Sequence, residues 1–282
     1  MKRTVQSKQR RPGSRRIPGT RPLPGFILGV ANEKGGVGKT TTVAGLGAAL
    51  AERGRRGLLV DHDPRADLTI NLGVRLGSDD RSVYHLLAGE PVRPSPVHPI
   101  QGHPTLFVLP AERDLAAVET LLIQDPPRAR VQRLAAVLRP LRREYEWVLC
   151  DCPPGLSSVV LALLQCVDGA LIPQECSFTA LHGLRALDET LQDLTRLGAA
   201  TPRLVGIVLT MVRRTRHAER VAERVRARYG KLVCDATIPL TVRLQEAPEY
   251  GVPITEYDPR GPGAEAYRAL AQEVTKRCAA AR

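Results

Sequence analysis

Short aliphatic runs alternate with helical stretches along most of the chain. The runs at 26–31, 57–61, 105–109, 146–151, 168–172, 204–209 and 233–238 predict strands. Between and after them, 39–53, 80–88, 112–123, 128–143, 156–166, 179–197, 217–229 and 263–278 predict helices. Strands that alternate with helices imply a parallel, twisted sheet with helices on both faces, an α/β fold. The pattern fails in two places. Residues 91–104 hold five prolines and predict a loop. His98 and His103 lie in that loop with no Cys or acid near them, so they do not read as a metal site. Residues 1–25 carry eight Lys or Arg, no acid, four Pro and three Gly. They predict a disordered basic arm ahead of a single domain over 26–282.

Composition narrows the classes. Of 282 residues, 43% are hydrophobic but only 4% aromatic, so the core must be built from Leu, Val, Ile and Ala. The formal charge of +12 falls largely on the arm, which leaves the body at +4. A basic tail on a mildly basic body suggests a polyanionic partner, nucleic acid before an anionic membrane. No stretch approaches the roughly 18 apolar residues of a membrane span. The apolar segment 26–31 is too short for the core of a signal peptide. Six cysteines, with no Cys-x-x-Cys pair, do not make a disulfide framework. Cys150 and Cys152 flank Asp151 at an apparent strand end and read as reduced core thiols, so a cytoplasmic location follows.

The strongest chemical signal runs from Gly29 to Thr41, with Lys34-Gly35-Gly36-Val37-Gly38-Lys39-Thr40-Thr41 at its end. It follows an apolar strand and opens a helix, the context that a phosphate-binding loop requires. Glycines let successive N–H groups turn inward around a β-phosphate, and the helix adds its positive end. Lys39 then reaches the β- and γ-phosphates, the Thr40 hydroxyl is a Mg²⁺ ligand, and Thr41 meets the α-phosphate. The chain has six Lys against 35 Arg, and two of the six lie in this loop. A compact ammonium fits between phosphates where a planar guanidinium does not. Lys34 is unusual, because a lysine just ahead of the glycine pair folds back poorly onto its own nucleotide. It can reach a partner's phosphates across a dimer interface.

Two acidic strand ends complete the pattern. Leu58-Leu59-Val60-Asp61-His62-Asp63-Pro64 places two carboxylates at the ligand end of a parallel strand. Alternation sends Asp61 and Asp63 to one face, so one of them can address the attacking water or the metal. Trp147-Val148-Leu149-Cys150-Asp151 has the form of a Walker B strand, with Asp151 holding Mg²⁺ through water.

The loop Lys-Gly-Gly-x-Gly-Lys-Thr resembles that of the deviant Walker A ATPases. Within them, the chain most resembles the ParA family of DNA-partition ATPases in its short, Soj-like form. The resemblance covers 26–278 and rests on Asp151-Cys-Pro-Pro-Gly-Leu156, on Ile172-Pro173 followed by Ala180-Leu181-His-Gly183-Leu184, and on Val208-Leu209-Thr210-Met211. It rests also on the runs Ile238–Pro248 and Tyr257–Tyr267. It implies an ATP-sandwich homodimer in which Lys34 acts in trans, with ATP and Mg²⁺ as cofactors. Asp63 is implied as the water-orienting residue and Asp61 lies by the loop. Met211 and Pro239 are implied beside the base. Arg214 and Arg243 match arginines that bind double-stranded DNA without regard to sequence. A ParB-like centromere-binding partner is implied to stimulate slow hydrolysis and release the dimer from the nucleoid. The sequence departs from the family at Pro64-Arg65-Ala66-Asp67, where Pro-Gln-Gly-Asn is usual. Gly155 replaces a Ser and Ser177 an acid.

Residues 213–231 support a DNA surface independently. Arg216, Arg220, Arg224 and Arg228 recur every four residues and form one helical stripe, opposite Ala218, Val221, Ala222, Val225 and Tyr229. A stripe of arginines without interleaved acids suits backbone contact without base readout. A MinD-like, membrane-attached division ATPase is the alternative reading. The last fourteen residues carry no aromatic and are a weak membrane anchor, so no membrane partner is expected. An iron–sulfur reductase of the nitrogenase iron-protein type needs a cysteine pair in a glycine-flanked loop. Neither Cys152 nor Cys176 sits in one.

Overall fold

The computed structural model describes residues 25–90, 96–177, 189, 192, 195–196 and 198–279. Five central strands set the frame: β1 (Phe26–Val30), β2 (Gly57–Asp61), β4 (His103–Leu109), β5 (Trp147–Asp151) and β6 (Gly169–Glu175). The sheet is completed by β3 (His98–Ile100), β7 (Arg203–Val212) and β8 (Val233–Pro239). The order is β3-β4-β2-β5-β1-β6-β7-β8, and every pairing except β3 with β4 is parallel. The expected α/β fold is therefore present. All seven expected strands form, within two residues of the expected starts.

The helices between strands are α1 (Lys39–Glu52), α2 (Asp67–Asn71), α3 (Val83–Ala88), α4 (Leu115–Gln124), α5 (Pro127–Leu141) and α6 (Ser158–Leu164). After β7 come α7 (Arg216–Tyr229), α8 (Val242–Glu246), α9 (Ile254–Tyr257) and α10 (Pro262–Ala279). Capping explains several starts. The Ser82 hydroxyl accepts from Tyr84 N, which delays α3 to Val83, and Thr215 Oγ1 accepts from Ala218 N at the start of α7. The expected helix at 179–197 falls mostly outside the described residues, as does the arm up to residue 24. So do Ala180, Leu181, Gly183 and Leu184 of the matched run.

The proline-rich stretch is a correction. Within 91–104, expected to be a loop, His98–Ile100 forms a strand antiparallel to β4, with His98 opposite Val108, Pro99 opposite Phe107 and, after a register shift, Ile100 opposite His103. Proline lacks an N–H donor but is tolerated on a strand with only one neighbour, and β3 is the sheet edge. His103 belongs to β4 and is buried, which depresses its imidazole pKa.

Each central strand sends alternate residues to opposite faces. Ile27, Leu58, Val60, Val148 and Cys150 pack with Leu134, Leu138, Val160 and Leu164 on one side. Leu28, Leu59 and Leu149 pack with Val43, Leu46, Tyr267, Leu270 and Val274 on the other. Complete burial of each such side chain stabilises by about 1.5–3 kcal/mol. The second layer depends on close approach of α1 and α10. A Cβ at Gly45 would stand 2.5 Å from the Tyr267 ring, so only glycine fits there. This packing holds α1 with its N-terminus at the carboxyl ends of the central strands.

Candidate functional site

Three neighbouring strands end level. Val30 of β1 and Asp61 of β2 both pair with Asp151 of β5, and their ends open on one crevice. The loop from Ala31 to Gly38 crosses that crevice and leads into α1. Asn32 fixes its start: Nδ2 donates to Pro173 O at 2.7 Å, and Oδ1 accepts from Lys34 N at 3.0 Å. The Thr210 hydroxyl fixes its other limb, donating to Val37 O at 2.9 Å. Gly38 precedes α1 at φ 86°, a left-handed conformation that other residues adopt only with strain. No side chain caps α1. Its first N–H groups have no intrahelical acceptor and are left for an anion.

Lys39 is 7% exposed, and its ammonium donates to Lys34 O at 3.0 Å, closing the loop on itself. Burial lowers its pKa, while the nearby Asp151, Cys152 and Asp63 charges oppose that shift. Asp151 is 1% exposed, and among the described residues neither carboxylate oxygen has a partner in hydrogen-bonding geometry. Burial first and Asp61 second raise its pKa well above the carboxylate range; the Thr40 hydroxyl and the Lys39 charge pull the other way. A buried carboxylate with empty lone pairs is costly unless a cation completes it. Asp151 and Thr40 thus fit a hydrated divalent ion.

The two acids after β2 have different surroundings. Asp61 Oδ2 accepts from Thr69 N at 2.9 Å and from Thr69 Oγ1 at 2.7 Å, while Oδ1 accepts from Asp63 N at 3.1 Å. Its pKa is nonetheless raised to about 6, because burial outweighs those bonds. Asp61 is committed to bracing the turn and α2. Asp63 lies beyond the end of β2, so an Asx turn places it rather than strand alternation. Its carboxylate is held by Arg65, with Nη2 at 2.9 Å from Oδ2.

Met211 and Pro239 sit at the adjoining ends of β7 and β8, where Val212 pairs with Pro239. Met211 has φ 53°, a left-handed conformation rare for a residue with a side chain. Lys34 is half exposed and pairs with Glu175 at the end of β6.

The basic residues follow the ends of β7 and β8. Arg214, Arg216, Arg220 and Arg224 are exposed and make no ion pair among the described residues. Ala218, Val221, Ala222 and Val225 form the buried face of α7, as the periodicity predicts. Arg243 stands on α8, paired with Glu246 at 3.0 Å and lying over the Tyr257 ring. Leu240 N donates to Val212 O, so the segments bearing Arg214 and Arg243 leave neighbouring strands side by side.

Sequence reasoning missed Asn32, Thr69 and Glu175. No local pattern marks them, because each meets its partner only after folding. Arg65 stood out as a departure from the family, but its grip on Asp63 did not. None of the six cysteines is in a disulfide and five are buried, among them Cys150 and Cys152, the expected core thiols.

A family model described as an AAA domain matches residues 25–201. The chromosome partitioning protein ParA of Caulobacter vibrioides is 42% identical over 257 residues, covering 89% of this chain and 94% of its own. The chromosome-partitioning ATPase Soj of Thermus thermophilus is 42% identical over 252 residues, covering 89% and 95%. Among solved structures, the septum site-determining protein MinD with Mg-ADP from Pyrococcus horikoshii superposes with a TM-score of 0.72 at 26% identity, covering 91% of this chain and 98% of that one. The MinD likeness extends the shared architecture beyond partition proteins, but the two relatives with the higher identity are both chromosome-partitioning proteins. On the identity and coverage of these two relatives, the chain belongs to the ParA family of chromosome-partitioning ATPases.

Proposed function

We propose that the protein is an ATP-dependent segregation ATPase whose ATP-bound homodimer binds DNA without sequence preference and leaves it after hydrolysis. The observation that carries this reading is the buried, unpartnered Asp151 carboxylate within electrostatic reach of Lys39, at a helix start with no side-chain cap. ATP supplies the polyanion and Mg²⁺ the cation that this arrangement lacks. The N–H groups of Gly35, Gly36, Val37 and Gly38 cradle the phosphates, Lys39 neutralises the β- and γ-groups, and Thr41 meets the α-phosphate. Thr40 and Asp151 would hold Mg²⁺, which would neutralise charge on the phosphates. Met211 and Pro239 flank the base. Asp63 orients the attacking water, and Lys34, acting from the opposite protomer, neutralises charge between two facing triphosphates.

Arg214, Arg216, Arg220, Arg224 and Arg243 form the DNA surface. By family resemblance, a ParB-like centromere-binding protein stimulates hydrolysis, and the protein works in the cytoplasm on the nucleoid. Phosphate release in the presence of ATP, Mg²⁺ and DNA tests the reading. Wild-type protein should turn ATP over slowly and Lys39→Ala should not; equal release by both would contradict it.

Likeness to MinD supports a second reading, a membrane-attached positioning ATPase. Against it, the apolar face of α10 is spent in the core: Tyr267, Leu270, Ala271, Val274 and Cys278 are all buried. No described helix is long and apolar enough to cross a membrane. Co-sedimentation with anionic vesicles in the presence of ATP separates the two readings.

A further inference from the structure

Arg65 reaches Asp63 through four donor contacts from only two positions away. Nη2 lies 2.9 Å from Oδ2, Nε lies 3.3 Å from each oxygen, and the backbone N lies 3.0 Å from Oδ1. A tight turn folds the arginine back: Ala66 N donates to Asp63 O at 2.8 Å, and Ala66 has φ 56°. The Asp63 backbone is itself tied to Asp61. Both Asp63 oxygens are therefore engaged by one guanidinium. A carboxylate that orients water must accept a hydrogen bond from it, and the fork of an arginine competes for those lone pairs.

We propose that Arg65 is a positioning residue that restrains hydrolysis by occupying the Asp63 carboxylate until the guanidinium is drawn away. The proposal rests on the water-orienting role given to Asp63. The guanidinium can swing into solvent, because the Arg65 side chain is 64% exposed. A second, half-exposed acid, Asp67, lies 3.2 Å from Nη2 and offers it an outward resting place. Arg65 also lies within electrostatic reach of Lys39 and Asp151. A triphosphate seated on Lys39 would therefore attract it away from Asp63. The Asp63 side chain is 8% exposed, but the guanidinium end of the pair is open to solvent, which screens it and keeps the restraint to about a few-fold in rate.

Steady-state turnover of Arg65→Gln, Arg65→Lys, Asp63→Ala and the Asp63→Ala/Arg65→Gln double variant tests this, with kcat and KM measured separately and thermal unfolding as a check on folding. Arg65→Gln should raise kcat about two- to five-fold and leave KM within about twofold. Arg65→Lys, which keeps the charge but lacks the fork, should fall between Gln and wild type. On the Asp63→Ala background, Arg65→Gln should change nothing, since the two act as one unit. An Arg65→Gln protein that folds normally and turns over at or below the wild-type rate overturns the proposal. Wild-type turnover in Asp63→Ala instead removes the role of Asp63 on which it rests.

Discussion

The Lys34 ammonium lies 2.5 Å from Glu175 Oε2, so the lysine expected to act across a dimer is held by its own chain. Both side chains are partly exposed, at 49% and 32%, and an ion pair in that setting holds about 0–1 kcal/mol. In the proposed sandwich dimer Lys34 leaves this contact for the opposite protomer. Glu175→Gln should therefore lower the protein concentration needed for the ATP-bound dimer by up to about fivefold. Light scattering with a non-hydrolysable ATP analogue measures this. Lys34→Ala should abolish that dimer while the monomer still binds nucleotide through Lys39, and normal dimerisation by Lys34→Ala would remove the sandwich.

Asp63→Ala should leave nucleotide binding intact and slow hydrolysis about 10²-fold or more, the scale of a lost proton-accepting group. The variant should persist on DNA as an ATP-bound dimer. Unchanged phosphate release with DNA and the ParB-like partner present would show that another group orients the water.

Thr69 joins two parts of the site, since its hydroxyl donates to Asp61 Oδ2 and accepts from Ala111 N at 3.0 Å. Thr69→Val leaves a buried carboxylate oxygen and a buried N–H each short of a partner. The expected loss is about 1–3 kcal/mol in urea unfolding, with Thr69→Ser much closer to wild type. Equal stability of the Val and Ser variants would mean that the hydroxyl does not brace the turn.

The elements legible in the sequence were those encoded locally. Apolar runs gave the strands, and glycines with lysines at fixed spacing gave the phosphate loop. The four-residue arginine period gave the exposed face of α7. Features set by the fold were not legible. The edge strand His98–Ile100 exists because β4 offers it a free side, which outweighs its proline. Helices α2, α8 and α9 are four or five residues long, too short to show a period. The Lys34–Glu175 contact spans 141 positions and depends on β1 and β6 lying side by side. Strand alternation left Asp61 and Asp63 equivalent and only the family resemblance told them apart; in the structure Thr69 braces Asp61 and Arg65 holds Asp63.

If the nucleotide controls DNA binding through a dimer surface, the salt dependence of binding should differ between nucleotide states. Titrations of unrelated duplexes should be made without nucleotide, with ADP and with a non-hydrolysable ATP analogue. Tight binding is expected only with the analogue and equally on every duplex. If the dimer neutralises about six phosphates, log K should fall against log salt with a slope of about −5. Arg214→Ala, Arg243→Ala or a combined Arg216, Arg220 and Arg224 alanine variant should weaken binding on all sequences alike and flatten the slope. Deleting residues 1–25 should lower affinity but keep the dependence on ATP. Binding that is equal in all nucleotide states, or that disappears with residues 1–25 while surviving the arginine substitutions, would contradict the account.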